Sequence, residues 1–202
     1  MAWIKTISPE AASGKLKELY EQVSSPEGQV DNILQAHSLR PRTLAAHLQL
    51  YKAAMHSRPN GLSPRERELV GVCVSQLNGC EYCVQHHRAG LARHLNNPAL
   101  ALELSEAAIG KRPSQRLSER ERALCAYASK LTRIPGAMEE RDLAELRNVG
   151  LDDAAILDLN QIVAYFAYAN RTVLGLGVKI DDEPLGLHPD EREAGLQHKA
   201  LG

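Results

Sequence analysis

Aromatic residues are scarce in this chain: one Phe, one Trp and six Tyr among 202 residues. Alternating runs of Val, Ile and Thr, the usual mark of strands, are missing as well. Together these absences exclude a sheet-based fold and leave helices. No apolar run approaches the ~20 residues needed to span a bilayer. The first residues hold no extended apolar stretch of the secretory kind, so the expected location is cytoplasmic. No long basic run occurs and the net charge is −1, so neither nucleic acid nor a membrane is an expected partner. A glycine-rich nucleotide loop is lacking, and Val84 rather than His follows Cys83, which removes a haem attachment motif. No cofactor is expected. Four Cys are too few for a disulfide scaffold. What remains is a globular chain with 44% hydrophobic residues, its 202 residues enough for one well-buried core or two very small ones.

The patterning is helical almost throughout. A first helix is predicted from Ser8-Pro9, with Leu16, Leu19 and Val23 on one side. A second follows Pro41, with Leu44, Leu48, Tyr51 and Met55 at helical spacing. Ser63-Pro-Arg-Glu66 is a capping box with Pro at the first helical position, and that helix stops at Asn78-Gly79. A fourth begins near Cys80 and a fifth covers 98–109. Then Leu62-Ser-Pro-Arg-Glu-Arg-Glu-Leu69 recurs as Leu117-Ser-Glu-Arg-Glu-Arg-Ala-Leu124. This predicts two related helical hairpins, about 63–95 and about 118–149, within one domain of residues 1–180. The second copy has Ala123 where the first has Glu68, and Arg133-Ile-Pro-Gly-Ala137 in place of the Cys pair. A helix after Gly136 reaches Gly150, and Asp152 opens a long last helix to about Leu174. Residues 181–202 are polar and rich in Pro and Gly, and read as an arm or tail.

Residues 68–87 bear the chemistry. Twelve positions separate Glu68 from Cys80, three separate Cys80 from Cys83, and four separate Cys83 from His87. In an antiparallel hairpin turning at Gly79, Glu68 lies about 15 Å down one helix and His87 about 12 Å down the other. They sit at nearly one height, and Gly71 and Ser75 on the Glu68 face are expected to let these two helices approach closely. Both Cys occupy the first turn of a helix, where exposed N–H groups favour a thiolate. Two thiols, an imidazole to take a proton and a carboxylate to orient it make a redox dithiol site. Zinc is the competing chemistry, with Cys80, Cys83 and His87 as three ligands and His86 or Glu68 as a fourth. No second Cys pair completes a tetrahedral set, and His86 points about 100° away from His87, so no metal is expected.

Other residues are weaker candidates. Cys73 and Cys125 sit in apolar helix stretches and are read as structural. Glu81, Tyr82 and His86 are expected at the solvent side or in a wall, with Tyr82 screening the thiols. His37 and Arg40 precede Pro41 and could line a pocket mouth, although a cap or turn role is the stronger expectation. Tyr165, Tyr168, Asn170 and Arg171 could reach either the pocket or an interface.

The Glu68-x11-Cys80-x2-Cys83-x3-His87 pattern resembles the alkylhydroperoxidase AhpD core of the carboxymuconolactone decarboxylase-like superfamily. Trp3-Ile-Lys-Thr-Ile7, His37-Ser-Leu-Arg-Pro41 and Ala164-Tyr-Phe-Ala-Tyr-Ala-Asn-Arg171 look like its branch of uncharacterised peroxidase-related enzymes. The likeness covers roughly residues 1–180. It implies an all-α bundle assembled as a homo-oligomer, often a trimer or hexamer. It also implies hydroperoxide reduction by a Cys pair with a Glu/His proton relay, reset by a dithiol or disulfide reductant protein. Carried onto this chain, the catalytic set is Glu68, Cys80, Cys83 and His87. Tyr82 stands where the best-known members have a His. His87 lies nearer Cys83, which favours Cys83 as the attacking sulfur, whereas Cys80 lies nearest the helix N-terminus. A general thiol–disulfide oxidoreductase and a non-catalytic helical oligomer are the alternatives.

Overall fold

The structure is a computed structural model that describes residues 2–181 and Leu185. The arm or tail read for 181–202 therefore lies, but for those two positions, outside the described residues. Helices α1 (Gly14–Glu21), α2 (Asn32–Gln35), α3 (Pro41–His56), α4 (Pro64–Leu77) and α5 (Glu81–Leu95) are followed by α6 (Pro98–Ala108), α7 (Glu119–Arg133), α8 (Glu140–Asn148) and α9 (Asp153–Leu176). Among the described residues there is no strand.

The capping signals set the register of the site. Ser63 accepts from the Glu66 amide while the Glu66 side chain accepts from the Ser63 amide, and Ser118 with Glu121 repeats this at α7. The two boxes are also tied together. Arg65 Nε pairs with Glu121 Oε1 at 2.7 Å, and Arg120 Nε pairs with Glu66 Oε1 at 2.7 Å. Equivalent positions of the two motifs thus exchange partners across the α4–α7 contact. At the other end of α4, Gly79 takes a φ of +69°, a left-handed conformation open to glycine, and reverses the chain into α5.

Helix α4 is the central rod. Every residue from Glu66 to Ser75 is buried, and α5, α6, α7 and α9 pack around it. Leu69, Leu91, Leu104, Leu124, Leu159 and Phe166 are fully buried members of that core. A second apolar cluster, including Leu16, Leu34, Leu44 and Leu48, seats α1 and α2 on α3. It forms the cover above the site.

Three local expectations are corrected. The segment after Ser8 is a 3₁₀ turn (Pro9–Ala11), because Ser13 is extended (φ −138°) and the α-helix starts only at Gly14; Val23 lies past its end. The helix expected straight after Gly136 begins at Glu140, since Pro135–Ala137 forms a separate 3₁₀ turn and Met138 is extended. Gly71 and Ser75 face α9 rather than α5. A Cβ on Gly71 would enter the Phe166 ring, and Ser75 Oγ accepts from Asn170 Nδ2 at 3.1 Å.

Candidate active site

Glu68 and His87 meet. His87 Nδ1 lies 2.8 Å from Glu68 Oε2, and both side chains are buried. The glycine that permits this is Gly90, one turn past His87 on α5. A Cβ there would stand 2.8 Å from Glu68 Cδ and Oε1. The imidazole is held on its other side by Phe166, whose ring meets it edge to face at 4.6 Å. Burial pushes the basicity of His87 down to about 3, helped by His86 and Arg93, so the ring is neutral at ordinary pH. A neutral ring beside a carboxylate donates its Nδ1–H to it, and that fixes the lone pair on Nε2.

The two sulfurs are thiols in contact. All four Cys are unbridged and buried. Cys80 is the N-cap of α5 and Cys83 lies in its first turn. The Cys83 thiol hydrogen-bonds the Cys80 sulfur, which lowers Cys80; the Cys83 amide adds to this against the cost of burial. The same bond, together with burial, holds Cys83 well above the ordinary thiol range. Asn170 hydrogen-bonds the pair and eases both toward thiolate. Its amide is fixed by Ser75 and by Asn78, whose Nδ2 donates to Asn170 Oδ1 at 2.9 Å.

A cleft of about 920 Å³, open mouth included, lies between α3, α5 and α9 under the α1–α2 cover. Cys83 and His87 both line it, along with His47, Tyr51, Tyr165 and Phe166. Cys80 is fully buried and is not part of its wall. Tyr82 and His86 are buried wall residues, their rings 4.5 Å apart, and the Tyr82 hydroxyl accepts from the Ile33 amide at 3.2 Å. Glu81 is exposed.

The remaining candidates separate cleanly. Tyr165 and Asn170 belong to the site, while Arg171 is exposed and donates to the Ala167 carbonyl. His37 is buried behind the cleft; its Nδ1 bonds the Ile33 carbonyl at 2.8 Å and its Nε2 bonds the Tyr168 hydroxyl at 3.2 Å. Arg40 is the exposed residue before α3. Cys73 and Cys125 touch each other in the core, where Cys73 donates to backbone carbonyls. Among the described residues no three His, Cys, Asp or Glu side chains are grouped to hold a metal ion. The sequence reading passed over Gly90 and His47. Gly90 interrupts a helix, where glycine costs about 1 kcal/mol, and that cost was the available signal. His47 shares the apolar face of Leu44, Leu48 and Tyr51, so its polarity was the signal.

Residues 41–109, which contain the whole Glu68-to-His87 hairpin, match the model of the carboxymuconolactone decarboxylase family. The match spans 69 of the 202 residues. The chain as a whole has the AhpD-like all-α fold. It is similar to the alkylhydroperoxidase AhpD core, an uncharacterised peroxidase-related protein, of Ralstonia eutropha JMP134, at 26% identity over 93% of this chain and 97% of that one, with a TM-score of 0.80. An uncharacterised peroxidase-related protein of Silicibacter sp. TM1040 is 27% identical over 89% of this chain and 88% of that one, with a TM-score of 0.73. The debrominase Bmp8, in complex with 2,3,4-tribromopyrrole, shares the fold at 18% identity over 90% of this chain and 94% of that one (TM-score 0.72). No curated protein matches the sequence. Within the matched segment, α3 supplies one cleft wall and α4–α5 the dyad and the thiols. The last wall, α9, lies beyond it.

Proposed function

We propose that this protein is a thiol-dependent peroxidase that reduces organic hydroperoxides through Cys83 and Cys80, with Glu68 and His87 as the proton relay. The observation that carries the reading is the 2.8 Å Glu68–His87 bond beside a cleft that both His87 and Cys83 face. His87 Nε2 takes the Cys83 proton as the sulfur attacks, and Glu68 steadies the imidazolium that forms. The Cys83 sulfur bonds to one peroxide oxygen and the O–O bond breaks. The products are Cys83 sulfenic acid and an alkoxide, which takes its proton from His87. The Cys80 sulfur then displaces hydroxide from the sulfenic acid; with the thiol proton this leaves as water, and a Cys80–Cys83 disulfide remains. An external dithiol returns two electrons and two protons by thiol–disulfide exchange.

Cys83 is the attacking sulfur because it lines the cleft; Cys80, lowered and fully enclosed, suits the resolving role. The reductant is a dithiol or disulfide protein. Self-association is supported by Leu157, Tyr168 and Leu174, exposed apolar-bodied residues along α9. The test is peroxide consumption with a dithiol donor, wild type against Cys83→Ser, with trapping of the sulfenic acid. Cys80→Ser is expected to accumulate sulfenic acid and Cys83→Ser to form none. Label appearing only in Cys83→Ser would reverse the roles. Turnover of small disulfides without turnover of peroxides would make the protein a thiol–disulfide oxidoreductase instead.

A further inference from the structure

The proton relay leaves one electrostatic problem open. Negative charge builds on the departing oxygen as the O–O bond breaks, and the wall of the cleft is largely apolar. In such a setting a donor aimed at that oxygen is worth far more than in water. Tyr165 meets the requirement on four counts. It lines the same cleft as Cys83 and His87. Its phenol is buried and held well above the usual range, by burial first and then by the charge of Cys83, so it keeps its proton. The hydroxyl is poorly engaged: its bond to His47 Nε2 is 3.5 Å long, at the outer limit of useful geometry. That acceptor is itself under-committed, since His47 Nδ1 is buried with no hydrogen-bond partner and the ring stays neutral.

A buried hydroxyl spent on a long bond to a neutral ring costs stability unless something else uses it. The hydroxyl has one hydrogen to donate, so it can leave this long bond for a better acceptor in the cleft. We propose that Tyr165 donates a hydrogen bond to the leaving oxygen of the peroxide, with His47 as the resting acceptor that aims the hydroxyl across the cleft. The assignment rests on the peroxidase reading above. It adds no proton to the balance, because the alkoxide is still protonated by His87 and Tyr165 keeps its own hydrogen.

The test is a comparison of leaving groups. A donor to the departing oxygen matters most when that oxygen is strongly basic. In Tyr165→Phe, reduction of tert-butyl hydroperoxide, which releases an alkoxide, is expected to fall about 100-fold. Reduction of peracetic acid, which releases a far less basic carboxylate, is expected to change less than about threefold by the same reasoning. Alkylation of Cys83 by iodoacetamide serves as the check on the thiol and is expected to keep its rate. Should Tyr165→Phe fail to fold, 3-fluorotyrosine at position 165 provides the second arm. As a stronger donor it is expected to shift the ratio of the two rates toward tert-butyl hydroperoxide. Equal losses on both peroxides, or none on either, overturn the role of Tyr165 and leave the peroxidase reading intact. A wild-type protein that reduces neither peroxide overturns both.

Discussion

Gly90 shows how narrowly the dyad is built. The missing side chain is what lets Glu68 lie flat against α5 and reach His87. In Gly90→Ala the new methyl would press on Glu68 Cδ at 2.8 Å, so the carboxylate must leave the imidazole or the helices must part. The expected cost is about 1–3 kcal/mol, typical of an overpacked site, together with loss of peroxide turnover. Thermal melts and rates check it, and Gly136→Ala, which points into open space, serves as the control and should stay within about 0.5 kcal/mol of wild type. Unchanged turnover in Gly90→Ala would mean that the Glu68–His87 bond is dispensable. The Glu68–His87 contact was legible in the sequence because a hairpin turning at Asn78-Gly79 fixes both heights by arithmetic alone. Asn170 was not, since its partners Ser75 and Asn78 lie more than 90 positions away. A polar residue on an apolar helix face was the visible hint.

At the scale of elements, the two capping boxes are the most informative stretches of sequence. The first located the start of α4 to the residue, because a Ser that bonds the third amide and a Glu that bonds back leave no choice of start, and the recurrence of its pattern at 117–124 placed α7 approximately. The two 3₁₀ turns and the four-residue α2 were poorly legible, since such short pieces have too few positions to show a period. The reciprocal ion pairs join these helix starts. Arg120 donates to Glu66 Oε1 at 2.7 Å and to the Gly61 carbonyl at 2.8 Å, with its side chain 30% exposed. Arg120→Ala is expected to cost about 2 kcal/mol, as for partly buried charge-assisted bonds. Arg141, which meets Glu139 on the open surface, should cost nothing measurable when replaced. Urea unfolding of the two variants decides this; equal effects would show that the α4–α7 junction gains nothing from the exchange.

For the whole molecule, the buried histidines set the response to acid. His47 and His87 are both pushed down to about 3 by burial, and His37 is lowered for the same reason. In the unfolded chain each takes a proton near 6.5, while in the folded chain His47 and His87 take theirs only at about 3 and His37 below its ordinary value. The unfolded state therefore binds more protons below that value, and stability falls as pH falls from about 6.5. Each such histidine contributes a slope of up to about 1.4 kcal/mol per pH unit. Urea midpoints measured between pH 7.5 and 5 should drop steadily, and His47→Phe should flatten the curve by about one proton's worth. A flat profile over that range would show that these rings reach solvent. The helical class of the fold was plain from the missing strand signals. How α1 and α2 close over the cleft was not, because that depends on contacts between segments with no shared motif.

On the peroxidase reading proposed above, access also has a consequence for resetting the thiols. Cys80 is fully enclosed and Cys83 has 4% of its surface exposed. A bulky electron donor cannot bring its own sulfur into line with either one while α1 and α2 rest in place. On that reading, recharging needs that roof to lift, or a slim carrier that can slip beneath it.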